Sequence, residues 1–182
     1  MENVLFYVIK QYNNESLNAL DFITRHSYKK YGEHLNLSVF AYTTLLNAIK
    51  KVYGVSDNDL DLQFLESGKP IVSGLSVSVS HTNGVVAVAF LKGDKPVGLD
   101  LEFIGNKKSE RLNKLLNLED GASVKEQYLA FTKRESFIKA FDLNMLTKRE
   151  IEFEGISKTV KIDGSEYALS VFYGGDIKEL KL

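Results

Sequence analysis

Residues 75–91 read LSVSVSHTNGVVAVAFL, in which two apolar segments flank the polar sequence HTNG at positions 81–84. Apolar residues alternate with serine from Leu75 to Val79, as in a strand, and an apolar run follows from Val85 to Leu91. Asn83-Gly84 between them is a strong hairpin signal, because the tight turn that joins two strands needs positive φ angles. The stretch therefore predicts an antiparallel β-hairpin.

A helix is predicted on the N-terminal side of this hairpin. Ser38 precedes a segment with helical apolar periodicity, and Gly54 lies where that helix is expected to end. The apolar positions of this segment are Ala41, Leu45, Ala48, Ile49 and Val52. Nearer the N-terminus, residues 4–9 are typical of a buried strand, and Asn14 can cap a helix. The apolar face of that earlier helix comprises Leu17, Leu20 and Ile23.

Further strands and a long helix are predicted on the C-terminal side. Val97–Phe103 is typical of a strand, and Val124–Phe141 is the longest predicted helix. Strands return at residues 151–153, 159–162 and 167–173, with Asp163-Gly164 as a second hairpin turn. Each half of the chain thus supplies a long helix followed by several strands. The pattern predicts an α+β fold in one domain of residues 1–182, without a repeat at the level of individual residues.

Composition excludes several classes of function. The 182 residues are 44% hydrophobic, enough for one sizeable core, and the net charge of -1 gives no argument for a nucleic-acid or acidic-membrane partner. The absence of cysteine excludes disulfides, thiolate zinc sites and a cysteine nucleophile. Neither an export signal at the N-terminus nor an apolar run of membrane-spanning length is seen. A cytoplasmic protein is therefore expected.

Asp100 and Glu102 alternate along a predicted strand, so both carboxylates leave the same face while Leu99 and Leu101 face the other way. Two neighbouring negative charges repel, and a hard cation such as magnesium, which prefers oxygen ligands, would relieve that repulsion. A solvated strand face explains the same spacing. By spacing alone the solvated face is favoured.

Glu135 and Lys139 lie four residues apart on the long helix, in the order that favours an ordinary surface ion pair. If this helix faces Asp100 and Glu102, however, Glu135 would complete an acidic cluster and Lys139 would neutralise a phosphate. The relative placement of the helix and the strand decides between these alternatives.

His81 lies at the end of a strand, flanked by the hydroxyls of Ser80 and Thr82, which suits either anion binding or a local turn contact. Gly68-Lys69-Pro70 by itself indicates only a turn. No glycine-rich stretch ends in Gly-Lys-Ser/Thr, and no nucleophile elbow is present, so the sequence has neither a P-loop nor the motif of a serine hydrolase.

Four segments taken in order resemble the successive motifs of the 4′-phosphopantetheinyl transferases of the Sfp type. The segments are Gly68-Lys69-Pro70, Ser78-Val-Ser-His-Thr82, Val97-Gly-Leu-Asp-Leu-Glu102 and Lys133-Arg-Glu-Ser-Phe-Ile-Lys139. The match extends from Thr44 to about Ala140. Members of this family move the phosphopantetheine arm of coenzyme A onto a serine of an apo acyl or peptidyl carrier protein. The resemblance implies a monomer of two similar halves, roughly 1–92 and 93–182, related by a pseudo-twofold axis with the active site in the cleft between them.

The resemblance also implies roles for individual residues. Asp100, Glu102 and Glu135 would hold Mg²⁺ against the pyrophosphate of coenzyme A. Lys139 would stabilise the leaving group, and Glu135 would accept the proton of the carrier serine. Contacts to coenzyme A would come from the remaining residues: Lys69 and Pro70 along the adenine, Ser80 and His81 at phosphate, and Thr44 near the nucleotide.

The sequence departs from the family pattern at three places. Thr43 stands where many relatives have an arginine, so Lys29 or Lys30 would supply more of the charge for the nucleotide phosphate. Phe131 replaces a tryptophan. The segment after Lys139 lacks the Gly-x-Gly of the family.

Two alternatives to a transferase remain open on the sequence. A degenerate relative would bind coenzyme A or a carrier protein without transferring the arm, and the loss of an acidic residue or of Lys139 would favour it. A generic α+β interaction domain would leave the acidic residues far apart on the surface. The placement of Asp100, Glu102 and Glu135 therefore distinguishes a generic interaction domain from a transferase or a degenerate relative.

Overall fold

The computed structural model describes residues 4–12, 35–106, 109–119, 121–143 and 152–182. Its helices are α1 (Leu35–Tyr53), α2 (Glu110–Leu116) and α3 (Val124–Phe141), with a 3₁₀ turn at Asp57–Asp59. Its strands are β1 (Val4–Gln11), β2 (Leu62–Phe64), β3 (Pro70–Val72), β4 (Leu75–Thr82), β5 (Val85–Lys92), β6 (Gly98–Phe103), β7 (Gly155–Ile162), β8 (Ser165–Phe172) and β9 (Asp176–Glu179). The α+β class is confirmed. The predicted helix after Asn14 falls outside the described residues.

The predicted hairpin at residues 75–91 is β4 and β5, with Asn83 at φ 45° and Gly84 at φ 75°. Both strands belong to a six-stranded sheet of order β2-β3-β4-β5-β1-β9. β5 is buried from Val85 to Leu91 because it lies between β4 and β1 and is covered on both faces. β9 joins this sheet at its far edge, in parallel with β1.

A second sheet of three antiparallel strands has the order β6-β8-β7. Its hairpin turns through Asp163 and Gly164, at φ 45° and 77°, as the sequence predicts. The strand expected at residues 151–153 is wrong for its described part, since β7 begins only at Gly155. The physical reason is that Gly155 pairs with Phe172, the last residue of β8, so that no partner strand extends past this point.

The elements form four layers around two cores. α1 packs on one face of the six-stranded sheet, where Leu45, Ile49 and Phe90 share a buried cluster. The other face of this sheet packs on the second sheet, and Leu99 and Leu101 lie fully buried between the two. α3 packs against β6 and β8. The side chains of β6 that alternate with Leu99 and Leu101 therefore meet α3.

Serine side chains join the two sheets along β4 and β6. The Leu99 amide donates to Ser78 Oγ at 2.9 Å, and the Leu101 amide donates to Ser80 Oγ at 3.2 Å. β6 is the edge strand of its sheet, so these serines satisfy amides that an edge strand would otherwise expose. The alternating serines of the sequence thus hold β6 beside β4. Among the described residues, no helix has the length and apolar content needed to cross a membrane.

Candidate functional site

Residues from β4, β6 and α3 line a cavity of about 340 Å³ that is open to solvent, hereafter the carboxylate cavity. It is lined by Val79, Ser80, His81, Asp100, Glu102, Phe131, Glu135 and Lys139. It brings together six of the site residues predicted from the sequence, two from each element. They are Ser80 and His81 of β4, Asp100 and Glu102 of β6, and Glu135 and Lys139 of α3. The acidic residues are therefore not scattered over the surface, as a generic interaction domain would have them.

Gly98 allows α3 to approach β6 closely enough to form this cavity. A Cβ atom at position 98 would lie 1.7 Å from the carbonyl oxygen of Ser136 and 2.8 Å from the amide nitrogen of Ala140. These are backbone atoms that cannot move aside without displacing the helix. The face of α3 toward the sheet also carries small buried residues at intervals of four, namely Thr132, Ser136 and Ala140. Small side chains on both elements thus bring the acidic residues of β6 and α3 together.

Asp100 lies at the centre of the cluster and is 3% exposed. Its Oδ1 atom accepts a hydrogen bond from Ser80 Oγ at 2.9 Å and an ion-paired one from Lys139 Nζ at 2.6 Å. Its Oδ2 atom is buried and has no hydrogen-bond partner in the part of the chain that the structure describes. A buried carboxylate oxygen without a partner is costly, and a cation or a donor from a ligand would satisfy it.

The two glutamates of the cavity are destabilised in their charged forms. Burial, followed by the negative charge of Asp100, raises the pKa of Glu102 to about 7, although Lys139 and a hydrogen bond from Thr82 oppose the shift. Burial and Asp100 also raise the pKa of Glu135, against the opposing charges of Lys139 and Arg134. The negative charge of Asp100 thus adds to burial at both glutamates, and the charge of Lys139 does not offset the two effects.

The polar side chains of the cavity include three carboxylates that could ligate a metal ion. Among the described residues, no group of three or more His, Cys, Asp and Glu side chains is gathered so as to hold one. Magnesium, however, commonly takes one or two carboxylates and completes its coordination with waters and substrate phosphates. Carboxylate oxygens, including the unsatisfied Oδ2 of Asp100, are the donors that this hard cation prefers. The residues present therefore fit magnesium when a phosphate ligand shares it.

Ser80 and His81 are held by contacts that the sequence did not reveal. Ser80 Oγ bonds both Asp100 and the Leu101 amide, so it orients the central carboxylate. His81 Nε2 lies 3.2 Å from Ser38 Oγ across the interface with α1. Ser38 was expected to precede its helix, but α1 begins at Leu35, and the buried Ser38 hydroxyl lies within the helix as a partner of His81. The sequence preference of serine for helix starts concealed this role.

A second cavity of about 270 Å³, hereafter the adjoining cavity, shares Val79 and Lys139 with the first. Lys69 and Pro70 line it, together with Tyr42. The sequence analysis expected Lys69 and His81 to contact the same coenzyme A molecule, whereas the structure places them on two different cavities that share two lining residues. Lys69 Nζ donates to the carbonyl oxygens of Lys139 at 2.8 Å and Ala140 at 3.1 Å.

Thr44 lies elsewhere. It is buried in α1 and lines a cavity of about 270 Å³ with Thr43, Lys10 and Lys51, which shares no lining residue with the carboxylate cavity. A contact of Thr44 with a nucleotide stays a prediction. Lys29 and Lys30, expected to replace the arginine at position 43, lie outside the described residues.

The ion pair of Lys139 also differs from the ordinary expectation. The sequence suggested a surface pair with Glu135, whereas Lys139 Nζ pairs with the buried Asp100 and approaches the Val79 carbonyl at 3.4 Å. The helix then ends at Phe141, and Asp142 adopts a left-handed conformation at φ 50° without a glycine. Residue 144 and the rest of the loop lie outside the described residues.

Comparison of the sequence with protein-family models gave no match, and comparison with curated proteins gave no significant match. The residues of the two cavities and their contacts are therefore the basis for assigning a function.

Proposed function

We propose that this chain is a magnesium-dependent 4′-phosphopantetheinyl transferase. It would transfer the phosphopantetheine arm of coenzyme A to a serine of an apo acyl or peptidyl carrier protein, giving the holo carrier and adenosine 3′,5′-bisphosphate. The observation that carries this proposal is the convergence of Asp100, Glu102, Glu135 and Lys139 on one cavity. They belong to two of the four motifs that resemble the family, and they come from elements remote in sequence.

The proposed reaction forms a bond from the carrier serine oxygen to the phosphorus that bears the pantetheine arm. The bond from this phosphorus to the bridging oxygen of the pyrophosphate breaks, and adenosine bisphosphate leaves with the electron pair. The serine proton passes, directly or through water, to the carboxylate of Glu135, which lines the cavity. The Lys139 ammonium, already within the cavity, stabilises the charge that develops on the leaving group.

Asp100, Glu102 and Glu135 are the residues that would hold magnesium. The ion supplies neutralisation of the pyrophosphate charge when bound. The chain itself provides positioning, because Ser80 fixes Asp100 and the serine bonds between β4 and β6 fix the acidic strand. Phosphoryl transfer needs charge neutralisation and alignment more than a protein nucleophile, so a site without cysteine suits it.

Coenzyme A would lie across the two cavities. Its adenine would occupy the adjoining cavity beside Lys69 and Pro70, and its phosphates would lie toward Ser80 and His81. The contact between the cavities at Val79 and Lys139 gives this path continuity. Thr44 would act only at the edge of the nucleotide, since it lines a different cavity.

The two-half architecture is part of this proposal and is supported by a repeated topology. In one half the strand order is β1-β5-β4, and in the other it is β6-β8-β7. In each, helical structure lies between the first strand and an antiparallel hairpin of two eight-residue strands, although β2 and β3 precede the hairpin of the first half and β9 follows that of the second. We infer two similar halves, roughly 1–92 and 93–182, related by a pseudo-twofold axis, in a cytoplasmic monomer. The carboxylate cavity would then lie in the cleft between β4 of one half and β6 and α3 of the other.

The test is incubation of the purified chain with fluorescent coenzyme A, Mg²⁺ and a panel of apo carrier proteins from fatty-acid, polyketide and peptide synthesis. Labelling of at least one carrier at its acceptor serine is expected, and it should be abolished by EDTA and by Glu102→Gln. Glu166→Gln, a glutamate change on an exposed hairpin, is the matched control and should label normally. If the folded chain binds coenzyme A but labels no carrier, the transferase assignment is wrong and the chain is a binding module.

A further inference from the structure

Lys69 reaches from the six-stranded sheet to the end of the helix that carries Lys139. It lies in the turn between β2 and β3, next to Pro70, and its ammonium donates to the carbonyl oxygens of Lys139 and Ala140. These carbonyls belong to the last turn of α3, whose final four carbonyl groups have no partner within the helix. The Ile138 carbonyl is satisfied by the Leu143 amide at 3.0 Å. Lys69 supplies the donors for the next two carbonyls.

The segment held by Lys69 is also the segment from which the Lys139 side chain enters the carboxylate cavity. Lys139 is thus fixed at both ends: its carbonyl oxygen by Lys69, and its ammonium by Asp100 Oδ1 at 2.6 Å and the Val79 carbonyl at 3.4 Å. A shift of the last turn would change the distance between the ammonium and the cavity. Catalysis that depends on a point charge is sensitive to displacements of this kind.

Lys69 is placed for this contact more than for a ligand. It lines both the adjoining cavity and a larger one of about 520 Å³, while its ammonium donates to the carbonyl groups at the helix end. Burial lowers the pKa of Lys69, while the carboxylate of Asp142 opposes the shift. Because the half-buried ammonium already donates to two helix carbonyls, fewer of its hydrogen-bond donors are left for a ligand.

We propose that Lys69 is a positioning residue, which holds the last turn of α3 so that the Lys139 ammonium stays in the carboxylate cavity. This inference rests on the proposed function, because it assigns Lys69 an effect on the transfer step through Lys139 rather than an affinity for adenine. A residue that only contacts adenine should affect the KM for coenzyme A, whereas a residue that positions Lys139 should affect kcat.

The first experiment separates these effects with Lys69→Met, which keeps the aliphatic stem and removes the donors. We expect kcat for carrier labelling to fall about tenfold or more, with the KM for coenzyme A within about threefold of wild type. Lys69→Arg retains donors and should recover most of kcat. Lys95→Met, the same change elsewhere on the wall of the 520 Å³ cavity, is the control and should leave both constants unchanged. A raised KM with unchanged kcat in Lys69→Met would overturn the proposal.

The second experiment is a double-mutant cycle with Lys139→Ala in single-turnover assays. If Lys69 acts through Lys139, adding Lys69→Met to Lys139→Ala should slow the transfer by no more than about twofold. A further loss as large as that in the wild-type background would show independent action and overturn the proposal.

The third experiment does not depend on activity. Amide hydrogen exchange at Asp142 and Leu143 should accelerate in Lys69→Met, whereas exchange in the middle of α3 should not. Lys69→Gln provides the same comparison if the methionine variant folds poorly. Unchanged exchange in a folded variant overturns the positioning role even if the chain proves to be no transferase. Accelerated exchange in a chain that labels no carrier leaves the contact standing and rejects the proposed function alone.

Discussion

Two of the places where the described residues bring lysine and carboxylate together have opposite electrostatics. In the carboxylate cavity, Asp100, Glu102 and Glu135 surround Lys139. At the junction of β1, β7 and β9, the Tyr7 hydroxyl donates to Glu179 Oε2 at 2.7 Å and accepts from Lys158 Nζ at 2.8 Å. Lys158 also pairs with Glu179 at 3.1 Å. We refer to Tyr7, Lys158 and Glu179 as the Tyr7 network.

The pKa values show what the difference means. The hydrogen bond from Tyr7, aided by Lys158 and opposed by burial, lowers the pKa of Glu179. Burial and Asp100 instead raise the pKa of Glu102 to about 7. Glu179, paired with one lysine, is stabilised in its charged form, whereas the two glutamates that share Lys139 with Asp100 are not. The Tyr7 network joins strands of both sheets, while the cavity retains uncompensated charge of the kind that functional sites carry at the expense of stability.

The largest expected effect is the loss of transfer in Lys139→Ala. Removing the ammonium leaves the cavity carboxylates and a pyrophosphate with less compensating charge, so labelling should slow by about 100- to 1,000-fold. Arginine at this position should restore only part of the rate, because its planar fork cannot replace a compact ammonium. Carrier-labelling rates and thermal stability are the measurements. The matched control, Lys158→Ala in the Tyr7 network, should label at the wild-type rate, and a Lys139→Ala variant that does so would refute the role of this lysine.

Tyr7→Phe should produce the next largest effect, on stability rather than on labelling. The change removes a hydroxyl that bonds two charged groups and leaves the buried ring in place, so the free energy of unfolding should fall by about 2 kcal/mol. Urea denaturation measures it. Unchanged stability would mean that the Tyr7 network contributes nothing, and slowed labelling in a folded Tyr7→Phe variant would contradict its separation from the site.

A third prediction concerns the pH dependence of stability in metal-free buffer, which should distinguish Glu102 of the carboxylate cavity from Glu179 of the Tyr7 network. The folded-state pKa of Glu102 is about 7 against an ordinary value of 4.5, so its contribution to stability is full below pH 4.5 and is lost as pH rises through 7. Glu102→Gln should therefore flatten the fall in stability between these values. The pKa of Glu179 is lowered, so its contribution is lost only as pH falls below 4.5, and Glu179→Gln should leave the slope above pH 5 unchanged. Denaturation curves at several pH values test both; equal slopes in wild type and Glu102→Gln would exclude the shift.

Magnesium should also change how the stability of the folded chain depends on pH. A cation that binds the charged carboxylates of the folded chain favours their deprotonation, so excess Mg²⁺ should stabilise the wild type above pH 7 and EDTA should reverse the gain. The measurement is thermal unfolding in Mg²⁺ and in EDTA, each with and without coenzyme A. The Glu102→Gln variant should gain less, and an equal gain in both proteins would mean that magnesium binds elsewhere.

The smallest effect is expected for the exposed pair between Lys161 and Glu166 on the second hairpin. Its atoms are 3.7 Å apart and the lysine side chain is 76% exposed, so solvent screens the attraction. Glu166→Gln should change the free energy of unfolding by less than about 0.5 kcal/mol. If Glu166→Gln lowers the free energy of unfolding as much as Tyr7→Phe does, exposure to solvent does not explain which of these interactions stabilise the fold.

Local signals in the sequence predicted most of the secondary structure. Asn83-Gly84 and Asp163-Gly164 marked the turns of the two long hairpins, because positive φ favours these residues. The strand expected at residues 151–153 failed in its described part, since its hydrophobic pattern could not indicate that the neighbouring strand ends at Phe172. Ser38 was misplaced for a similar reason: its hydroxyl is used by His81, a residue from another element.

The sequence by itself determined which residues share a face. The period of a strand placed Asp100 and Glu102 together on β6, and the period of a helix placed Glu135 and Lys139 together on α3. Only the tertiary structure decided that these two faces meet, because their approach depends on Gly98 against Ser136 and on the serines that hold β6 beside β4. The tertiary structure also determined the pKa shifts of Glu102 and Glu135. Burial and the distance between carboxylates set a pKa, and both arise when remote segments pack, so the spacing of residues along the chain does not encode them.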